Sequence, residues 1–247
     1  MKGFGEGLTK KDIKDLLEEN RDHECEGIGR DKICIRIESI ADLPSKYGQF
    51  HVVAFYNNRD DKENAALVHG NVINQEDVTV RLHSECLTGD VFGSLRCDCH
   101  DQLVTALRTI GKMKMGMLIY LRQEGRGIGF INKIKAYALQ EEGLDTGEAN
   151  IALGFHDDER EYSVAAHIIQ SLKIRSVRLM TNNPQKIAEL KQYGISIVER
   201  IPLIIPPNKY NRFYLETKEK KFGHFLGGAA DRFQDQMDVP LFKRGKS

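Results

Sequence analysis

The apolar pattern of the chain changes period once, close to Asp98, and that change limits the fold more than any other feature of its 247 residues. Before it come short β-rich runs at Ile33–Ile37, Phe50–Tyr56, Ala66–Val72 and Val78–His83, parted by charged or Asn/Gly turns. Strand side chains alternate between faces, so these runs predict a meander of strands. After it, Leu103, Ala106, Leu107 and Ile110 recur at helical spacing, with Gly111 as a stop. A buried strand at Met117–Leu121 and a Gly-rich turn at Glu124–Gly129 lead into a helix over Asn132–Gln140. A helix at Tyr162–Leu172, a strand at Val177–Met180, a helix from Asn183-Pro184 to Gly194, a strand at Ile195–Ile201 and a helix near Asn211–Phe222 follow. Strands alternating with helices require crossover connections and a partly parallel sheet. The expected class is mixed α/β, or α+β: a β-rich first half, then alternating helices and strands around a mixed sheet. Ahead of all this, Thr9-Lys-Lys-Asp12 reads as a capping box for a helix carrying Ile13, Leu16 and Leu17.

Lys and Arg total 36, as do Asp and Glu, so the formal net charge is zero. Binding to nucleic acid or to a membrane surface as the main business needs a positive surplus, so neither partner is expected. A local basic pocket is compatible with the balance. No run approaches the roughly 18 apolar residues of a membrane span, and Met1–Asn20 lacks the apolar core of a signal segment. The cysteines, Cys25, Cys34, Cys86, Cys97 and Cys99, are odd in number. Without a signal segment they read as cytoplasmic thiols and not as a disulfide framework.

Cys86, Cys97 and Cys99 fall in the spacing C-x10-C-x-C. Three soft thiolates so close suit zinc. A structural zinc site closes with a fourth protein ligand, for which His83 or His100 is near in sequence; a catalytic site leaves that position to water. Zinc brings the pKa of a bound water down to about 7. Catalytic zinc, structural zinc and simple buried thiols are all compatible with the spacing. Cys25 and Cys34 have no such context and read as ordinary small residues.

Gln123-Glu-Gly-Arg-Gly-Ile-Gly129 lies between a strand and a helix. Its glycines would let backbone N–H groups approach a phosphate, with Arg126 as a forked donor. A plain tight turn would read the same way, and the spacing is neither the dinucleotide fingerprint nor Walker A. Thr181-Asn-Asn-Pro-Gln-Lys186 repeats the arrangement after a second strand. There, a phosphate site competes with a simple Asn183 N-cap and a solvated Lys186. Asp157-Asp-Glu-Arg160 reads as a solvated charge run, or as an acid and an Arg placed on one side of an extended segment to handle a phosphoryl group.

These pieces occur in one order. Arg81-Leu-His-Ser-Glu-Cys-Leu-Thr-Gly-Asp90, Ser94-Leu-Arg-Cys-Asp-Cys99, Arg122–Gly129, Asn132–Gln140, Asp145-Thr146, Ala149-Asn150, Gly154-Phe155, Asp158-Glu-Arg160 and Thr181-Asn-Asn-Pro184 together resemble GTP cyclohydrolase II, from about Ile40 to Leu226. The resemblance implies a 1–39 N-terminal extension, a 40–226 catalytic domain and a 227–247 tail. It implies hydrolysis of the imidazole ring of GTP with release of formate and pyrophosphate, leaving a diaminopyrimidine ribosyl phosphate and opening riboflavin synthesis. Carried over by position, Cys86, Cys97 and Cys99 hold a catalytic zinc with water as fourth ligand, and Tyr137 stands beside the opening ring. Arg160 is the family's proposed nucleophile at the α-phosphorus and Asp158 its proton acceptor. A guanidinium is almost never deprotonated, with a pKa above about 12, so a charge-stabilising role for Arg160 stands beside the nucleophilic one. The implied GTP contacts are Arg81, Leu82, His83, Ser84, Glu85, Gln102, Glu124, Gly125, Arg126, Thr146, Thr181 and Lys186, with magnesium on the phosphates. A cytoplasmic homodimer is implied as well, and the second riboflavin-pathway enzyme to which this domain is often fused is not expected in the preceding residues. Some paralogues stop at the ring-opened triphosphate; Tyr137 and the three cysteines favour the full reaction. The rival from another class is a non-catalytic nucleotide-binding protein with structural zinc.

Overall fold

A computed structural model describes residues 7–21, 33–60 and 62–227. Seven strands, β1 (Ile35–Ser45), β2 (Gly48–Asn57), β3 (Asn64–His69), β4 (Val78–Ser84), β5 (Gly116–Leu121), β6 (Val177–Met180) and β7 (Ile197–Ile201), form one sheet in the order β1-β2-β3-β5-β4-β6-β7. The β1-β2-β3-β5 half is antiparallel and the β5-β4-β6-β7 half parallel, so the sheet is mixed as expected, but only β1–β3 form the expected meander: β4, the Val78–His83 run, leaves it and lies parallel between β5 and β6. Parallel strands are covered on both faces. Accordingly every residue of β4 except Ser84 is buried.

Seven helices, α1 (Lys10–Arg21), α2 (Cys99–Ile110), α3 (Gly129–Glu141), α4 (Thr146–Ala152), α5 (Ser163–Ser171), α6 (Pro184–Gln192) and α7 (Arg212–Lys220), are described. One face of the sheet packs on Leu16 of α1, Ala165, Ile168 and Ile169 of α5 and Leu190 of α6, using Val80, Leu82, Met117 and Ile119 from the central strands. The other packs Leu118 and Met180 on Ala106, Leu107 and Ile110 of α2. Met117 and Ile119 against Leu118 is the period-two alternation of a strand covered on both sides. No described helix is long and apolar enough to cross a membrane.

Strand β1 continues well past the alternating run that announces it, through Pro44. As an edge strand paired only with β2 it can carry a residue that lacks an N–H. It therefore runs through the position taken as the end of the N-terminal extension. Helix α4 has no counterpart in the sequence reading. Its start is a capping box: the Asp145 side chain accepts from the N–H groups of Gly147 and Glu148, and Glu148 accepts from Asp145 N–H. Cys34 is disulfide-bonded, which corrects its reading as a thiol. An odd total fixes only that at least one sulfur stays unpaired. Cys25 and the 228–247 part of the tail lie outside the described residues.

The Thr9–Asp12 box forms as read: Asp12 N–H donates to Thr9 Oγ1 at 3.1 Å and Thr9 N–H to Asp12 Oδ2 at 2.8 Å. At the other end of α1, buried Asn20 accepts from Ile37 N–H at 3.2 Å and donates to Leu16 C=O at 2.8 Å, tying the helix to β1. Asn20→Ala leaves both backbone groups without this partner and is expected to cost about 1–3 kcal/mol. Urea unfolding of the full chain checks it; an unchanged midpoint would mean that the helix is not coupled to the sheet.

Candidate active site

Three parallel neighbours, β5, β4 and β6, end at one edge of the sheet, since Ser84 lies opposite Leu121 and Arg81 opposite Met180. Loops beyond the carboxyl ends of parallel strands are where open sheets bind ligands. Here β4 runs into Glu85 and Cys86, β5 into Gln123–Gly129 and β6 into Thr181–Pro184.

Beyond β4 the chain makes one wide π turn, Leu87–Val91, that closes on Cys86 through Asp90 N–H to Cys86 C=O at 2.6 Å. The buried Asp90 carboxylate accepts from Cys86 N–H and His83 Nε2–H at 3.0 Å and from the Tyr120 hydroxyl at 2.8 Å, locking the turn to β4 and β5. The turn sets Cys86 against Cys97 and against Cys99, which opens α2. The Cys86 and Cys97 sulfurs are 3.7 Å apart, and all three lie within 4.8 Å of one another. Tetrahedral zinc with bonds of about 2.3 Å holds its sulfurs roughly 3.8 Å apart, so the donor set fits that metal. Gly89 makes the room: a Cβ there would stand 2.9 Å from Cys97 Sγ and 3.1 Å from Cys86 Sγ. Among the described residues no His, Asp or Glu joins the cluster. His83 is held by Asp90, and His100 is exposed with its Nδ1 3.2 Å from Asp90 C=O.

The cluster lies in a cavity of about 230 Å3 whose wall includes Glu85, Lys133, Tyr137 and Thr146. Hydrogen bonds from Cys97 and Cys99, with the nearby Lys133 ammonium, hold the Cys86 thiol well below its ordinary range. Cys97, donating to that thiolate, is pushed up to about 11. Burial pushes the Tyr137 phenol up; its hydroxyl is 3.4 Å from Thr88 Oγ1, and the Arg96 guanidinium lies 4.4 Å from its ring centre. The Glu124 carboxylate accepts from Leu87 N–H at 2.6 Å, Gly125 N–H at 2.7 Å and Lys133 Nζ at 2.8 Å. It thus ties the turn after Cys86 to the Gly-rich loop. That loop turns left-handed at Gly125 (φ 62°) and at Arg126 (φ 59°), a conformation costly for a residue with a side chain. Glu159 N–H donates to Arg126 C=O at 3.0 Å and pins it.

A second cavity of about 80 Å3 adjoins the first through Ser84, Cys99, Arg126, Arg160 and Tyr214. Arg81, Gln102, Thr181, Lys186, Lys218 and His224 also line it. Arg81 donates to Met180 C=O at 3.1 Å and Gln102 Oε1 at 2.6 Å, while its buried Nε has no partner. Lys186 donates to Leu82 C=O at 2.8 Å and Arg126 to Asp157 C=O at 3.3 Å. None of these three forms an ion pair with a carboxylate among the described residues. Burial pulls Arg81 down to about 10 and Lys186 well below an ordinary lysine. Burial, then Lys218 and Arg160, pull His224 down to about 3, so its imidazole is neutral. Arg160 and Asp158 pair, with Arg160 Nε to Asp158 Oδ1 at 2.8 Å. Burial opposes the charge on Arg160, but Tyr162 and Asp158 outweigh it and its proton is held more tightly than usual. A polar chain joins the second cavity to Asp98, which lies between Cys97 and Cys99 in sequence: Lys218 donates to Asp98 at 2.8 Å, Gln102 donates to Asp98 at 2.5 Å, and Arg81 donates to Gln102.

Of the site residues singled out in the sequence, all but Leu82 and Asp158 line one of these cavities, and Asp158 reaches them only through its pairing with Arg160. Leu82 contributes only its carbonyl, its side chain being in the core. Asn183 caps α6 and Pro184 opens it, yet Lys186 is buried and not solvated. Lys133, Asp90, Tyr214, Lys218 and His224 were not singled out. Lys133 precedes Tyr137 by four residues, the spacing that puts both on one helix face; Lys218 is hidden in the run Lys218-Glu-Lys-Lys221.

Gly89→Ala inserts a methyl between the sulfurs and is expected to abolish stoichiometric zinc binding while leaving the unfolding midpoint close to that of the parent. Metal content after dialysis checks this; a full complement of zinc in the variant would remove Gly89 from the design of the site.

The GTP cyclohydrolase II family model matches residues 36–202. GTP cyclohydrolase-2 of Picrophilus torridus is 54% identical over 192 residues, 78% of this chain and 100% of that protein. GTP cyclohydrolase-2 of Histophilus somni is 55% identical over 192 residues, 78% of this chain and 89% of that protein. Riboflavin biosynthesis protein RibBA of Bacillus cytotoxicus is 50% identical over 214 residues, which cover 87% of this chain and 52% of that longer protein. With the family match covering most of the sheet and all three sulfur donors, the chain is an enzyme of the GTP cyclohydrolase II family.

Proposed function

We propose that the chain catalyses zinc-dependent hydrolysis of GTP to a diaminopyrimidine ribosyl phosphate, with release of formate and pyrophosphate, as a step of riboflavin synthesis. One observation carries this reading: a three-sulfur cluster and a lobe with three cations free of carboxylate partners, buried Arg81 and Lys186 and half-buried Arg126, share walls at Cys99, Arg126 and Arg160. A nucleotide spanning both would bring its base to the sulfurs and its phosphates to the cations. Cys86, Cys97 and Cys99 would hold the zinc, which supplies an acidified water and a Lewis acid for C–N hydrolysis at guanine C8.

The remaining work falls to the chain's own groups. Arg81, Arg126 and Lys186 bind the triphosphate, whose charge compensates theirs. Magnesium on the phosphates neutralises the rest. Tyr137, with its phenol protonated and held beside the sulfurs, orients or passes a proton at the opening ring. Arg160 stabilises charge on the transferring phosphoryl group, because pairing with Asp158 holds its proton in place and leaves no free electron pair for attack. The GTP, magnesium, cytoplasmic and homodimer assignments belong to the same reading.

Incubating zinc-replete protein with GTP and magnesium, and identifying products by mass spectrometry, tests it. Formate, pyrophosphate and a monophosphate product are expected. A ring-opened triphosphate with its formamide intact would assign the chain to the paralogues that stop early; GTP recovered unchanged would favour a nucleotide-binding protein with structural zinc. Cys97→Ser is expected to abolish formate release with much of the fold retained. Arg160→Lys is expected to slow pyrophosphate release by about 100-fold while formate still appears; normal pyrophosphate release would remove Arg160 from the phosphoryl step. Lys186→Met is expected to weaken GTP binding by about tenfold or more, with little change for guanosine. Titration of each ligand by calorimetry separates the two.

A further inference from the structure

Lys133 stands in the larger cavity without a part in the reading above. It is buried in α3, and its Nζ is 3.1 Å from Cys86 Sγ and 2.8 Å from Glu124 Oε1. Because Glu124 is itself fixed by Leu87 N–H and Gly125 N–H, the ammonium is held against the sulfur by the backbone of both loops.

The charge balance gives this contact its meaning. Three thiolates around a divalent cation leave a net charge of minus one, and the Asp90 and Glu124 carboxylates close by add to it. A fourth coordination position inside so negative a shell resists an anionic occupant, and strong thiolate donation weakens the metal as a Lewis acid. A cation in hydrogen-bond contact with one thiolate opposes both effects, since charge-assisted hydrogen bonds draw electron density from the acceptor.

We propose that Lys133 is a positioning residue that acts through Cys86: its ammonium offsets the charge of the third thiolate so that the open fourth position of the metal accepts an anion. The inference rests on the three-sulfur zinc reading, and the experiment separates the two. The full chain is loaded with cobalt(II) in place of zinc, its thiolate-to-cobalt absorption band is recorded, and azide is titrated as the anionic probe. A parent protein without that band overturns the zinc reading itself. With the band present, Lys133→Met is expected to shift it to longer wavelength and to weaken azide binding at least about tenfold, as loss of a unit charge at short range requires. Lys133→Arg is expected to restore both, and formate release is expected to follow azide affinity across the series. Lys133→Gln, neutral but still a donor, makes the same comparison if Lys133→Met fails to fold or to hold cobalt. A band and an azide affinity unchanged to within about twofold in the neutral variants overturn the proposal, because a change of one charge at contact distance exceeds that.

Discussion

The site depends on the parallel hydrogen bonding of β4 to β5 on one side and to β6 on the other. Parallel pairing puts three carboxyl ends at one edge, and each continues directly into a loop with chemistry: the sulfur turn, the Gly-rich turn and the Thr181–Pro184 helix start. An antiparallel neighbour at any of these places would send its loop to the opposite edge. Strands β1, β2 and β3 carry none of the named functional residues and contribute to the core on both faces of the sheet.

The two lobes treat buried charge in opposite ways. Around the sulfurs each carboxylate has its own donors: Glu124 pairs with Lys133, and Asp90 accepts from three neutral groups. In the other lobe Arg81, Arg126 and Lys186 face carbonyl or amide oxygens, and burial lowers the affinity of each for its proton. Unpaired buried charge costs stability, so a protein retains it only where something outside the fold supplies the counter-charge. That imbalance is the physical content of the phrase anion site here.

Much of this was legible in the sequence, for reasons that differ by residue. The sheet type followed from the change of period near Asp98, because periodicity reports burial directly. Cys86, Cys97 and Cys99 were legible because few structures need three cysteines so close. The start of α6 is legible in Asn183-Pro184, whereas the capping box of α4 is masked in the sequence by Gly147 and by the shortness of the helix. Lys133 and Lys218 were not legible, because a lysine that folds inward against a carboxylate reads in sequence like one in water; only the partner, Glu124 nine residues before or Asp98 far earlier in the chain, tells them apart. The disulfide at Cys34 escaped for a similar reason: a count of cysteines carries no pairing.

The Arg81–Gln102–Asp98 chain has a thermodynamic corollary. Asp98 sits between two of the sulfur donors in sequence, so an anion that draws Arg81 toward itself pulls on the sulfur loop through two short hydrogen bonds. Linkage is reciprocal: by whatever factor an occupied cation lobe alters retention of the metal, the metal alters affinity for the phosphates. If the chain holds zinc and GTP as proposed, metal supply and nucleotide supply would not be independent inputs, and the response to a shortage of one would depend on the level of the other.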